Sequence, residues 1–246
     1  MEDKCCTDEY KDIKENMRIR LLQVRNDISR ALKQSGRSED SLTLIGVSKY
    51  FPVEYARAAC ELGLLDLGEN RVQELLSKEE ELESLGIHPR WHLIGTLQTN
   101  KVRSIIGHTC LIHSVSSGEL LMEIQKRSQA KDLITPVLLQ INVSKEESKH
   151  GFPVEEIERI AELAGTYTHI SLRGLMTMAP VQIAEHDALP VFQKTKDIFD
   201  KLKNQVSNPQ EWSALSMGMS QDYIDAIQCG ATHIRIGTAI FGHRNY

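Results

Sequence analysis

The chain has 246 residues and a formal net charge of −5, with 41% hydrophobic and 26% charged residues. This composition is ordinary for a globular protein, and no apolar run approaches the roughly 20 residues that a membrane-spanning helix needs. Charges of both signs are interspersed without a basic stripe, which argues against a nucleic-acid surface and a membrane partner. We therefore expect the partner to be a small molecule.

The N-terminal segment carries charged residues and Cys5-Cys6, without the apolar stretch of a secretory signal. We expect a cytoplasmic protein, and residues 1–12 are interpreted as a polar flexible tail. Five cysteines is an odd number, so no disulfide framework is predicted. The histidines lack the paired spacing typical of metal ligands, so no metal site is predicted either.

In chain order, an amphipathic helix is predicted from residue 13 to 32, because apolar residues recur at three- and four-residue steps. Short apolar runs then alternate with helical patterns, which favours a parallel sheet. This alternation predicts one (β/α)8 TIM-type barrel domain over 1–246, with the extra N-terminal helix in the ring position of a final helix. The predicted strands are 43–48, 64–67, 91–94, 110–115, 137–143, 171–177, 212–216 and 233–236, and the predicted intervening helices are 53–62, 71–85, 99–106, 118–129, 154–164, 187–206 and 221–228.

Lys49 ends the first predicted strand, at the rim where barrel enzymes and binding proteins place their sites. A lysine amine partly removed from water there can act as a nucleophile toward an aldehyde and form a Schiff base. The alternative is a lysine at a strand end that simply reaches solvent.

Two segments near the end of the chain resemble a phosphate cradle. Ser216-Met217-Gly218-Met219-Ser220 follows the seventh strand, and Gly237-Thr238 follows the eighth. Barrels commonly bind phosphate after these strands. Ser220 is predicted to cap the helix that starts at residue 221, although a serine at a helix start is often only a cap.

A lysine beside a phosphate site indicates pyridoxal phosphate (PLP). The chain resembles the PLP homeostasis proteins of the YggS/PROSC type from about residue 42 to 242. The matching motifs are Val47-Ser48-Lys49, Gly68-Glu69-Asn70-Arg71-Val72-Gln73-Glu74, Trp91-His92-Leu93-Ile94-Gly95, Leu97-Gln98-Thr99-Asn100-Lys101, Ser148-Lys149-His150-Gly151, Arg173-Gly174-Leu175-Met176-Thr177, Ser216 to Ser220 and Arg235 to Gly242.

The resemblance implies a barrel like the N-terminal domain of alanine racemases, with PLP held by Lys49 as a Schiff base. It also implies that Ser220, Gly237 and Thr238 hold the phosphate. Asn70 would lie near the ring hydroxyl and Arg235 would face the pyridine nitrogen. The remaining implied pocket residues are His92 and Ser216.

The family consists of carriers or regulators in vitamin B6 and amino-acid homeostasis, so we expect a binding protein rather than an enzyme. Arg235 supports this, because an arginine has no proton to accept from the ring nitrogen and weakens PLP as an electron sink. The second base of alanine racemases lies on a further β domain, which we expect this chain, ending at Tyr246, to lack.

Three functions remain in competition. The first is a monomeric PLP carrier whose further partners are PLP-dependent apoenzymes. The second is a single-domain PLP-dependent amino-acid racemase or lyase, for which His92 or a rim hydroxyl would be the second base. The third is an interaction protein that senses PLP occupancy. Lys149, in the loop 144–152, is interpreted as a surface lysine, with transient receipt of PLP as the alternative.

Overall fold

The computed structural model describes residues 8–144, 150–180 and 186–243. Eight parallel strands close into a barrel, because the last strand pairs with the first (Thr43 with His233) and the fourth pairs with the fifth (Ile112 with Val137). The predicted fold class is confirmed. Lys149 and the Cys5-Cys6 pair lie outside the described residues.

The strands are close to their predicted positions, and one short strand was not predicted. That strand, β6, has two residues and pairs with the end of β5 outside the barrel. The strands are β1 Thr43–Val47, β2 Asp66–Glu69, β3 Arg90–Leu93, β4 Leu111–Val115, β5 Thr135–Asn142, β6 Phe152–Pro153, β7 Ile170–Met176, β8 Ala214–Ser216 and β9 His233–Ile236.

The helices surround the barrel in alternation with the strands. They are α1 Asp8–Gln34, α2 Val53–Glu61, α3 Val72–Glu83, α4 Val102–Ile105, α5 Gly118–Ala130, α6 Ile157–Gly165, α7 Leu189–Lys203, α8 Tyr223–Gln228 and α9 Thr238–Phe241. The four-residue α9 was not predicted. None of the helices in the described segments has both the length and the apolarity required to cross a bilayer.

The N-terminal helix α1 fills the gap in the ring between the end and the start of the barrel, as predicted. Arg20 donates to the Ile240 carbonyl of α9, and Arg25 donates to the Gly63 carbonyl after α2. The tail prediction was wrong for residues 8–12, which are helical. Acidic Asp8 and Glu9 favour the first turn of the helix, and Tyr10 is buried against the barrel.

The second strand begins two residues later than predicted. Gly63 adopts a left-handed φ of +75° and ends α2, and the Leu64 amide then donates back to the Ala59 carbonyl. Residue 64 therefore belongs to the helix-terminating turn. The strand starts at Asp66, so this carboxylate lies at the beginning of β2 rather than at the predicted third position of the strand.

Alternating side chains give the barrel two faces. Outward residues such as Leu67 and Leu93 join the main apolar cluster between the strands and the helices. A separate small apolar cluster comes from four strands and contains Leu111, Leu138, Met176 and Ala214. Many of the other buried strand residues are polar, including His92, His113, Gln140, Ser216 and Arg235.

Candidate functional site

Lys49 is the second residue after β1 and is partly exposed. Its strand is hydrogen-bonded between β2 and β9, and β9 in turn pairs with β8. The segment that carries Asn70 therefore lies on one side of Lys49, and the two predicted cradle segments lie on the other. We call this carboxyl end of the barrel the mouth.

The turn around Lys49 is held from both sides. Ser48 donates its hydroxyl to Glu69 Oε1 at 2.6 Å, and its carbonyl accepts from Lys78 Nζ at 2.8 Å. Tyr50 has a φ of 66°, which is uncommon for a residue with a side chain, and its amide donates to Glu74 Oε1 at 2.5 Å. Strained backbone that is fixed by its surroundings is typical of functional sites.

A buried ion pair between Lys78 and Glu69 stabilises this turn. Lys78 Nζ lies 2.7 Å from Glu69 and 2.9 Å from Glu74, and the Lys78 and Glu69 side chains are almost fully buried. Burial raises the pKa of Glu69, while Lys78 opposes that rise. Within the described part of the chain, Glu69 Oε2 has no hydrogen-bond partner, and Lys78 is the cation that balances the charge of Glu69.

The two predicted cradle segments contact each other. The Ala239 amide, in the first turn of α9, donates to Ser220 Oγ at 3.4 Å. Gly218 has a φ of +94°, and a Cβ there would lie 2.6 Å from Ala226, so only glycine fits the bend of the first segment. The loop after β8 and the start of α9 thus form one continuous surface.

The predicted capping role of Ser220 is wrong. Helix α8 begins at Tyr223 rather than at residue 221, and Ser220 accepts from the neighbouring α9 instead. Asp222 Oδ1 accepts the Met219 amide at 2.6 Å and fixes the loop. The Ser220 hydroxyl is consequently placed between the two segments rather than committed to its own helix.

Gly237 and Thr238 lie where β9 meets the mouth. A Cβ built on Gly237 would make only ordinary contacts, the nearest 3.5 Å from the Val47 carbonyl, so the packing of the chain does not itself demand glycine there. The missing side chain leaves room beside β1, two residues before Lys49. Thr238 is exposed.

Asn70 is partly exposed after β2, and its position depends on Gly95. A Cβ on Gly95 would lie only 2.4 Å from the Asn70 carbonyl oxygen. The end of β3 can therefore approach Asn70 closely only because residue 95 is glycine. The glycine of the Trp91–Gly95 motif therefore allows the chain after β3 to pack against Asn70, which follows β2.

Arg235 is buried below the mouth and held by two acceptors. Its Nη1 donates to Ser216 Oγ at 2.5 Å, and its Nη2 donates to the Thr177 carbonyl at 3.0 Å. Burial lowers the pKa of Arg235 to about 10, against an opposing effect of Asp222. Arg235 therefore remains a cation at neutral pH.

A chain of hydrogen bonds continues from Ser216 through the barrel interior. His113 Nδ1 lies 2.9 Å from Ser216 Oγ, and His113 Nε2 lies 3.0 Å from His92 Nδ1. His92 Nε2 is 3.0 Å from Asp66 Oδ1. The chain links Arg235, near the mouth, to a carboxylate at the start of β2. We call these five residues the interior relay.

One assignment of protons satisfies every bond of the interior relay. Arg235 donates to Ser216 Oγ, whose hydroxyl donates to His113 Nδ1. His113 Nε2–H then donates to His92, and His92 Nε2–H donates to Asp66. Burial and nearby His92 hold the pKa of His113 well below its ordinary value, so its ring is neutral.

The structure does not bring His92 to the mouth, although the motif containing it placed it in the pocket. Its ring is buried, faces Asp66 at the strand starts and reaches Ser216 only through His113. The reason is geometric, because residue 92, the third of the four residues of β3, points into the barrel interior toward Asp66 and His113. His113, Asp66 and Lys78 were not predicted, since each is an isolated polar residue without a local motif.

Comparison with known proteins gives consistent matches over most of the chain. The family model for the alanine racemase N-terminal domain matches residues 45–245. The pyridoxal phosphate homeostasis protein of Aquifex aeolicus (strain VF5) is 41% identical, covering 92% of this chain and 98% of the relative. The corresponding protein of Haemophilus influenzae (strain KW20) is 38% identical, covering 94% and 97%.

A solved structure agrees with these sequence matches. PipY of Synechococcus elongatus PCC7942, with PLP bound, has a TM-score of 0.80 and 31% identity, covering 92% of this chain and all of the PipY chain. Fold, motif positions and sequence identity therefore lead to the same assignment. This chain belongs to the pyridoxal phosphate homeostasis protein family and carries the alanine racemase N-terminal domain fold.

Proposed function

We propose that this protein binds PLP through a Schiff base at Lys49 and serves as a non-catalytic carrier or regulator in vitamin B6 and amino-acid homeostasis. The observation that carries the proposal is the order of the strands at the mouth. Lys49 on β1 is next to Gly237 and Thr238 after β9, and Ser220 after β8 contacts the same surface.

The residues at the mouth fit the chemical groups of PLP. A phosphate needs several hydrogen-bond donors and space for its oxygens, which the Ser220 and Thr238 hydroxyls and the open side of Gly237 supply. The aldehyde needs a primary amine, and Lys49 on the adjacent strand provides it. Formation of the Schiff base joins the amine nitrogen to the aldehyde carbon and releases one water.

Arg235 suits a binding role better than a catalytic one. In PLP enzymes the cofactor acts as an electron sink, which is strongest when its ring nitrogen is protonated. Arg235 stays cationic at neutral pH and offers only donors, so it stabilises an unprotonated ring nitrogen. Ser216 and the Thr177 carbonyl fix the guanidinium for that contact.

The placement of His92 disfavours the racemase or lyase alternative. That alternative needs a second base near the amine, and His92 was its imidazole candidate. Both ring nitrogens of His92 are engaged inside the barrel, by Asp66 and His113. Only hydroxyl groups of the predicted rim set then remain as candidates for proton transfer.

Titration of the purified apoprotein with PLP, followed by absorbance, tests the proposal. We expect one PLP per chain and a new absorption band that Lys49→Ala abolishes. Lys194→Ala, which removes an exposed lysine of α7, is the matched control and should leave the band intact. An unchanged band in Lys49→Ala would refute the Schiff base at this residue.

A second measurement separates the carrier from the enzyme. The holoprotein is incubated with amino acids in heavy water, and incorporation of deuterium at the α-carbon is followed by NMR. The carrier proposal predicts no incorporation above that given by free PLP. Incorporation that depends on Lys49 would establish the enzyme instead.

A further inference from the structure

The opposite end of the barrel contains a second cluster of chemically reactive side chains. The strand starts surround a cavity of about 420 Å³, which we call the base cavity. Asp66, His92 and Cys110 lie on its wall, and their candidate ligand atoms are all within 4.8 Å of one another. None of these three residues has a part in the proposed Schiff base.

We propose that Asp66, His92 and Cys110 form a binding site for a divalent transition-metal ion, with Zn²⁺ the best match. A carboxylate, an imidazole and a thiolate are the three ligand types that Zn²⁺ takes in proteins. Three protein ligands leave a fourth position, which the base cavity can supply with water. The site would resemble open zinc sites rather than closed structural ones.

The distances suit a metal that would lie between the three side chains. His92 Nε2 is 3.0 Å from Asp66 Oδ1 and 3.3 Å from Cys110 Sγ. Tetrahedral zinc with bonds of about 2.0 to 2.3 Å separates its ligand atoms by roughly 3.3 to 3.6 Å. The two His92 distances are therefore within a few tenths of an ångström of those in a zinc site, and the third pair, Asp66 and Cys110, lies within 4.8 Å.

His92 and Asp66 are each also held by a further contact, as metal ligands usually are. His92 Nδ1 lies 3.0 Å from His113 Nε2. Metal binding at His92 Nε2 would reverse both tautomers of the interior relay, so that His92 Nδ1–H donates to His113 Nε2 and His113 Nδ1–H donates to Ser216 Oγ. Arg90 donates to both oxygens of Asp66, at 2.8 and 2.5 Å, and fixes the carboxylate plane.

The Cys110 thiol donates to the Trp91 carbonyl at 3.1 Å, a hydrogen bond that the thiolate would give up on binding the metal. A bound metal ion deprotonates the thiol that coordinates it, so Cys110 would enter the site as a thiolate.

No sequence motif indicates this site, and no metal site was predicted. Asp66 and His92 are 26 residues apart, and His92 and Cys110 are 18 apart, without the short spacings of zinc motifs. The three residues meet because each lies at or near the start of one of three neighbouring strands, β2, β3 and β4. Pairing of these adjacent strands in the sheet brings them together.

Titration of the full chain with Co²⁺, a spectroscopic substitute for Zn²⁺, tests the proposal. Cys5 and Cys6 are replaced by serine in every variant, so that thiols of the N-terminal segment contribute no signal. We expect one Co²⁺ per chain, a thiolate-to-cobalt charge-transfer band, and displacement by Zn²⁺. No PLP is needed, so this test is independent of the proposed function.

The variants decide where the metal binds. Cys110→Ser should remove the charge-transfer band, and Asp66→Asn should weaken Co²⁺ binding by about a hundredfold, at least as much as loss of an outer-shell contact does. Cys229→Ser is the matched control and should retain both properties. Circular dichroism confirms that each variant is folded. Absence of metal binding, or binding that survives Cys110→Ser and Asp66→Asn unchanged, would overturn the proposal.

Discussion

The mouth and the base of the barrel differ in how their polar groups are satisfied. At the mouth, Lys49 and Asn70 are partly exposed and Thr238 is exposed, on segments that other residues hold in place. At the base, Asp66 and His92 are buried and bonded to each other. The mouth presents side chains to solvent, whereas in the absence of metal the buried polar groups of the base bond to one another.

This difference predicts that the two regions respond differently to substitution. Changes to ligand-facing residues of the mouth should alter PLP binding while leaving the fold intact. Changes to the support beneath the mouth or to the interior relay should lower stability. The four predictions below run from the largest expected effect to the smallest.

Removing the charge of Lys78 should cause the largest loss of stability. Lys78→Met leaves Glu69 buried without its cation, and breaking a buried pair in this way costs about 3 to 5 kcal/mol. Urea denaturation measures the change in free energy of unfolding. Lys196→Met, which breaks a more exposed pair with Asp200, is the control and should cost less than about 1 kcal/mol. Equal losses in the two variants would mean that the buried pair gives no special support to the Lys49 turn.

Interrupting the interior relay should have the next largest effect. Ser216→Ala removes the hydroxyl that accepts from Arg235 and bonds to His113, leaving buried groups unsatisfied. We expect a loss of about 1 to 3 kcal/mol in the free energy of unfolding. Ser213→Ala, at an exposed position before β8, should change stability by no more than about 0.5 kcal/mol. A loss no larger than in the control would show that the relay is not coupled to stability.

The base should also make stability depend on pH. Burial, with a contribution from His92, lowers the pKa of His233 from 6.5 to about 4. As pH falls below 6.5 the unfolded chain binds a proton there and the folded chain does not, so stability declines until the pH reaches about 4. Allowing for partial exposure of the ring, this amounts to about 2 kcal/mol.

Comparison of the wild type with His233→Gln isolates this contribution. The glutamine variant should lose about 2 kcal/mol less than the wild type between pH 7 and pH 4 in urea denaturation. His88→Gln, at a loop position outside the base cavity, should behave as the wild type does. Parallel curves for wild type and His233→Gln would contradict the assigned pKa.

Loss of one cradle hydroxyl should have the smallest effect, and on binding alone. Thr238→Val or Ser220→Ala each removes a donor to the phosphate, worth about 1.5 kcal/mol, which corresponds to roughly tenfold weaker PLP retention. Equilibrium dialysis measures the retention, and Thr166→Val, a hydroxyl after α6, is the control. Unchanged retention in both cradle variants would place the phosphate elsewhere.

Sequence motifs mark residues of the mouth, whereas none marks the base, for a physical reason. The groups of the mouth lie in short local motifs, such as Val47-Ser48-Lys49 and Gly237-Thr238. The lysine, serine and glycine residues of such motifs indicate a binding site without knowledge of their partners in the fold. Asp66, His113 and Lys78 become informative only through partners on other elements. Lys78 lies in a glutamate-rich helix, where an isolated lysine is typical of a solvent-facing residue.

Boundaries were the other source of error. The shift of β2 to Asp66 and of α8 to Tyr223 both follow from turn hydrogen bonds, at Leu64 and at Met219, that apolar periodicity does not encode. The barrel was nevertheless predicted correctly, because alternation of strands and helices tolerates shifts of two residues. A predicted contact of a single side chain, such as the cap at Ser220, is lost when the element boundary shifts by two residues.

The most direct test of the central claim is to locate the covalent bond. Holoprotein is reduced with borohydride, digested and mapped by mass spectrometry. The account predicts that the reduced pyridoxyl group is on the peptide containing Lys49, and that no peptide carries it in Lys49→Ala. Modification of a different lysine in the wild type, or none at all, would contradict the account.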